Sequence, residues 1–276
     1  MTYILMNKND LYKNVKSLFH PTASKNIDKY LEIVIKSLYK YNIDYKKMVS
    51  MALSTIAAET GRFEPISEYI SKYNTSPGGH PFDLYDNKQS LGNKGYPDGS
   101  RFKGRGFIQL TGRYNYTYYG KKLGVNLVSD PDKACDPKIA ADLLSLFLKN
   151  KEDLILNALN NNDLKKARRL VNGGYHGLTV FSKVYNKSIK ILPDKDSYYE
   201  EFFKTDINRP KEQRIQCKSS CISRNSIDFH STDNNFNINK QLSSRLGSET
   251  NNRNTRNSRS SIWSIFIQFI KQIIRK

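Results

Sequence analysis

Between Gly61 and Gly104 the chain loses hydrophobic periodicity altogether, while the segments on either side keep it at the period of a helix. That contrast limits the fold. A helical body must hold a long polar loop, and ordered loops of this length inside a compact domain are usually functional. Upstream, Leu11, Val15, Leu18 and Phe19 make one apolar stripe before Pro21; Ile27, Tyr30, Leu31, Val34, Ile35 and Leu38 make a second; Met48, Met51, Ala52 and Ile56 make a third. Downstream, the pattern resumes after Arg113 and runs through Ala134 to Lys149, Leu154 to Leu159, Leu164 to Val171 and Phe181 to Ile191. No alternation of strand and helix patterns appears, which argues against a parallel sheet. The expected class is mainly α.

At 276 residues, 38% of them hydrophobic, the chain can bury one core of about 150 to 200 residues and leave a remainder. Beyond about Thr205 the composition turns to Asn, Ser and Arg, as in Asn251 to Arg259, and such a segment is expected to be disordered. The last stretch, Ile262 to Lys276, places Ser264, Gln268, Lys271, Gln272 and Arg275 on one side of a helix and isoleucines with Phe266 and Phe269 mostly on the other. It is too short to span a bilayer but amphipathic enough to lie on one, or else to dock back onto the domain. The expected organisation is therefore a globular domain over 1–205, a linker over 206–260 and a basic amphipathic helix over 261–276.

The formal charge of +19 divides into +11 on residues 1–205 and +8 on 206–276, so the globular part is basic in its own right. An anionic partner is implied: nucleic acid, an acidic membrane face or an acidic wall polymer. Cys135, Cys217 and Cys221 form no even disulfide framework. Cys217, Cys221 and His230 lack a fourth ligand and standard zinc spacing, and no phosphate loop or dinucleotide fingerprint is present. No metal or cofactor is expected. The N-terminal apolar run is too short for a secretory signal, so synthesis in the cytoplasm, with action on a wall after release or non-classical export, is the expected localisation.

Chemistry concentrates in three places. The block Gly104 to Tyr116 sets glycines, Gln109, Thr111, Tyr114 and Tyr116 around the apolar run Phe107-Ile108, the make-up of a polar ligand cleft on a buried segment. Glu59 closes the third helical stripe, with Gly61 in the place of a C-terminal stop, and Glu68 follows nine residues later. On one unbroken helix these carboxylates would sit roughly 13 Å apart on opposite faces. The turn signalled by Gly61 and Pro65 lets them face one another instead. Two carboxyl groups about 6.5 to 9.5 Å apart, with a water between base and sugar, suit inverting hydrolysis of a glycosidic bond. Glu59, at the end of a mostly apolar helix, is the expected general acid, and Glu68, in the polar loop, the base. Glu59→Gln is expected to abolish turnover with little change in thermal midpoint. Gln109, Thr111 and Asn172 offer neutral donors and acceptors for a water and an acetamido group. Gly173-Gly174 permits close backbone approach, or is simply a turn between helices. Among the clustered tyrosines, Tyr69 and Tyr114 are expected to stack on sugar rings and others to fill the core.

These residues carry a likeness. The segment from about Ala52 to Leu192 resembles the family 19 glycoside hydrolases, the chitinase and phage-endolysin group, through Ala57 to Phe63, Leu91-Gly92-Asn93, Asp98-Gly99, Gly104 to Tyr116, and Val171 to Gly174 followed by Gly177-Leu178. The resemblance implies a lysozyme-like, two-lobed helical domain with a central substrate cleft. It places Glu59 at the acid position, Glu68 at the base position and Thr111 where a Ser or Thr holds the attacking water. Gln109 and Asn172 then line the cleft, and the mechanism is inverting and metal-free. Two departures stand out: Ala58 replaces a common His, and Thr179-Val180-Phe181 stands where an acidic residue and an Arg are usual, which implies a thinner charge network around the catalytic pair.

The expected activity is endo-hydrolysis of β-1,4 bonds between N-acetylated amino sugars by a monomer. The basic charge favours peptidoglycan over nearly neutral chitin, with 261–276 contacting an anionic membrane. Chitin hydrolysis is the alternative within the class. From another class comes a catalytically inactive sugar-binding module whose tail binds membrane or nucleic acid.

Overall fold

A computed structural model describes residues 7–193. The extreme N-terminus, the 206–260 linker and the 261–276 helix lie outside the described residues. Ten helices appear in the described part: α1 (Lys8–Leu18), α2 (Ser24–Lys40), α3 (Lys46–Glu59), the single turns α4 (Asp83–Asp86) and α5 (Asp98–Arg101), α6 (Arg113–Leu123), α7 (Pro137–Lys149), α8 (Glu152–Asn160), α9 (Leu164–Asn172) and α10 (Leu178–Ile191). The strands are β1 (Ile66–Ser67) and β2 (Arg105–Gly106), paired antiparallel with Ile66 opposite Gly106 and Ser67 opposite Arg105. The fold is mainly helical, as the periodicity requires.

The core forms around α3, which is buried from Met48 to Glu59. A helix apolar on all sides belongs in the interior, and Ser50, Ala52, Ser54, Ala57 and Ala58 keep it thin enough for neighbours to approach. It packs most extensively on α10, while α2 packs on α7 and α8 on α9. A polar contact fixes the α2–α7 register: the Ser37 hydroxyl donates to Asp142 and meets Ser145, each at 2.8 Å.

The ends of these helices follow from local chemistry. Asp136 caps α7 by accepting from the N–H groups of Lys138 and Ile139, with Pro137 at the first helical position. Asp163 caps α9 through Lys166 N–H, and Gly173, left-handed at φ +74°, ends it. Gly61, at φ +65°, lies just beyond the C-cap Thr60 of α3, so the turn after Glu59 is where the glycine placed it. Two boundaries differ from the sequence pattern. Phe19 lies outside α1 as its extended C-cap, because Pro21 disfavours helix just ahead of it. The helical pattern at Ala134 belongs to a 3-10 turn, Pro131–Cys135, and α7 begins at Pro137.

Candidate active site

The long loop is ordered by its own polar groups. Arg113, at the start of α6, grips Asp98 with Nε on Oδ2 at 2.7 Å and Nη2 on Oδ1 at 2.5 Å, a two-pronged contact that holds the Asp98 carboxyl below the usual carboxylate range. The Asn93 side chain accepts from Arg113 N–H and donates to Tyr85 O, each at 2.8 Å. Arg105, almost fully buried, donates to Asp132 and to the Tyr116 hydroxyl. The motifs around Asn93, Asp98 and Gly104 to Tyr116 are thus one connected frame.

That frame positions Glu68. Its N–H donates to Gly104 O at 2.8 Å, continuing the β1–β2 pairing by one residue. Its carboxylate accepts from Asn74 Nδ2 (3.1 Å) and the Tyr85 hydroxyl (2.9 Å) on Oε1, and from Gly104 N–H (2.9 Å) on Oε2. Burial first, and then the Glu68 charge, push the Tyr85 hydroxyl far above the usual tyrosine range, so it remains a neutral donor.

Gln109 is held in a left-handed backbone, φ +52°, a conformation uncommon for residues with a side chain. Its amide nitrogen donates to Ile66 O (2.9 Å) and Gly106 O (3.0 Å), which fixes the rotamer and leaves Oε1 buried with no hydrogen-bond partner among the described residues. The Thr111 hydroxyl donates to Gln109 O at 2.9 Å. A Cβ on Gly104 would lie 2.8 Å from Gln109 Oε1, 3.1 Å from Glu68 Oε2 and 3.3 Å from Thr111 Oγ1. Three oxygens therefore converge on a spot the size of a small polar group, and only glycine at 104 leaves it open. A carboxylate, an amide oxygen and a hydroxyl together can accept from and orient one water.

Glu59 belongs to a second group. It is the last residue of α3 and is 2% exposed, at the negative end of the helix dipole, where a carboxylate is poorly placed. The fully buried Arg168 of α9 answers it, with Nη2 at 2.7 Å from Glu59 Oε1. The approach is that of a close ion pair without hydrogen-bond alignment. Asn172 Nδ2 reaches the same oxygen at 3.4 Å, while Glu59 Oε2 meets no hydrogen-bonding group among the described residues. Arg168 Nε donates to His176 O at 2.8 Å, tying the 173–177 loop to the pair, and a Cβ on Gly177 would lie 3.1 Å from Ala58 Cβ. Burial and then the Arg168 charge pull His176 down to about 4, so it is neutral near pH 7.

The residues expected from sequence thus fall into two clusters, Glu68 with Gln109 and Thr111, and Glu59 with Asn172. Tyr69 and Tyr114 are 54% and 60% exposed, and Tyr114 stacks on Tyr118 with ring centroids 6.1 Å apart. Tyr85, Tyr116 and Tyr119 are buried. Gly173 acts as the left-handed stop of α9, with nothing within 4 Å of a Cβ built there, which favours the turn reading. The sequence reading overlooked Arg168 and Asn74, and it placed Tyr85 among the clustered tyrosines without its hydrogen bond to Glu68. Arg168 had a signal: it interrupts the apolar face that Leu164, Ala167 and Val171 give α9.

The fold and its loop frame define a helical protein with carboxylate, amide and hydroxyl groups suited to hydrolytic chemistry. Comparison with known proteins narrows the class. The family 19 glycosyl hydrolase model, described as Chitinase class I, matches residues 72–153. A "Glycosyl hydrolase family 19 domain-containing protein" of Haemophilus influenzae is 26% identical over 143 residues, covering 52% of this chain and 68% of that protein. Among solved structures, chitinase C from Streptomyces griseus HUT6037 aligns at 19% identity and TM-score 0.42 over 65% of this chain and 90% of that one. The class IV chitinase from Zea mays aligns at 16% and 0.39 over 59% and 83%. The chain is related to the family 19 glycoside hydrolases.

Proposed function

We propose that this protein hydrolyses β-1,4 bonds between N-acetylated amino sugars by inversion, with peptidoglycan as its polymer. The observation that carries the reading is the convergence of Glu68 Oε2, Gln109 Oε1 and Thr111 Oγ1 at Gly104. Glu68 is the general base: it draws a proton from a water held by Thr111 and Gln109, and that water attacks the anomeric carbon. Glu59 is the general acid. Because Arg168 engages Oε1 as an ion pair, the acid form arises when Oε2 takes up a proton, and Oε2 is the oxygen that then delivers it to the leaving sugar. Asn172 holds Glu59 and borders the substrate, while the exposed Tyr69 and Tyr114 rings suit the apolar faces of sugars. Peptidoglycan is preferred over chitin because residues 1–205 carry net +11, which draws an anionic polymer and does nothing for a neutral one.

Parallel digestion of purified peptidoglycan and chitin, followed by mass spectrometry of the products, tests this. The expected result is muropeptide release with an inverted anomer and a loss of at least a thousandfold in Glu68→Gln. Products from chitin alone would reassign the substrate. Products from neither, with retained binding, would make the domain a sugar-binding module.

A further inference from the structure

The Gly173–Gly177 loop that wraps the Glu59–Arg168 pair carries an exposed ring, Tyr175, 47% accessible. Lys165 Nζ lies 4.7 Å from its centroid and Arg169 Cζ 5.9 Å. Lys165 and Arg169 are one turn apart on the exposed face of α9, and neither has a carboxylate partner among the described residues. For folding alone the placement of Lys165 is unfavourable. Like charges four apart on a helix repel, and Lys165 sits in the first turn, where the dipole opposes a cation, whereas Arg169 lies in the last turn, where a cation is favoured. Asp163, the nearest acid in sequence, turns its Oδ1 to cap Lys166 N–H.

The location supplies a reason. Asn172, which reaches Glu59, is three residues before Tyr175, so their Cα atoms are at most about 11 Å apart. Arg168 and Arg169 are consecutive and point roughly 100° apart around α9, one inward to Glu59 and the other outward. An aromatic ring flanked by two uncompensated cations, at the margin of the acid residue, matches a sugar that bears a carboxylate.

Resting on the peptidoglycan reading above, we propose that Lys165, Arg169 and Tyr175 form a subsite for the carboxylate-bearing sugar of the polymer. The ring packs against the sugar, and the two cations take the carboxylate of its lactyl ether or of the attached peptide. The subsite gives an acidic polymer an advantage that neutral chitin does not gain.

The test measures binding and hydrolysis by the full chain with soluble un-cross-linked peptidoglycan strands, the same strands stripped of peptide by an amidase, and chitohexaose. In the Lys165→Gln/Arg169→Gln double variant, affinity for peptidoglycan strands should fall about tenfold, the worth of two partly exposed ion pairs. KM should rise with kcat unchanged, and chitohexaose should stay within twofold. Lys165→Arg/Arg169→Lys should restore binding. Because the lactyl carboxyl is amide-bonded in intact strands and freed by the amidase, a tenfold loss confined to stripped strands assigns the lactyl carboxylate, a loss confined to intact strands assigns the peptide, and a loss on both shows that the cations take either carboxylate at that sugar. An equal fall on chitohexaose, or no fall on either peptidoglycan form, overturns the subsite. Wild-type protein that cleaves neither polymer overturns the hydrolytic reading, while strand affinity still reports on these cations.

Discussion

At single positions, the structure assigns unequal burdens to residues that look alike in sequence. Gly104 is a turn residue by composition, yet a methyl group there would press on three oxygens at 2.8 to 3.3 Å. Gly104→Ala is therefore expected to lower kcat by at least a hundredfold with a smaller effect on KM, measured on whichever polymer the protein cleaves. Glu59→Gln changes its expected signature once the buried partner is known. An uncharged side chain strands the fully buried Arg168, and breaking a buried pair by removing one partner costs about 3 kcal/mol or more. The variant should lose activity and also melt roughly 6–12 °C lower, where an apolar setting alone would have left the midpoint unchanged. Calorimetry of Glu59→Gln beside wild type decides between the two.

Among the elements, α3 and α9 are coupled through that pair, and the 173–177 loop extends the coupling to His176. In the folded protein His176 titrates at about 4, against 6.5 for the free side chain, so the unfolded chain binds its proton first on acidification. The resulting stability is fully present above pH 6.5 and is lost as pH falls toward 4. Thermal midpoints recorded across that window should fall less steeply for His176→Gln than for wild type. The helices themselves were legible because their stripes follow a 3.6 period and their ends carry Asp, Pro and Gly. Glu68, Gln109 and Thr111 were also legible as chemistry. Their supports, Asn74 and Tyr85, were not, since each acts through a contact made only when the loop closes on itself. Arg168 was hidden for a related reason: a lone arginine on an apolar face acquires meaning only from a carboxylate 109 positions away, at the end of another helix.

For the whole molecule, charge and architecture act separately. The fold is set by apolar stripes, and the net +11 of residues 1–205 does nothing for it. Self-repulsion weakens a compact state, and a surplus carried on the outer face of α9 and elsewhere fits the anionic polymer proposed above. The departure at Thr179-Val180-Phe181 implied a depleted charge network. Instead a guanidinium reaches Glu59 from α9, so Glu59 has a cationic neighbour from within the helical body.

One further consequence follows from the left-handed backbone at Gln109. Glycine would relax that φ of +52° at no steric cost, and would also delete the amide oxygen that faces Glu68 and Thr111. It would further release the carbonyls of Ile66 and Gly106 that the amide nitrogen ties down, so easing the backbone there would loosen the loop's anchorage and empty one wall of the proposed water site together.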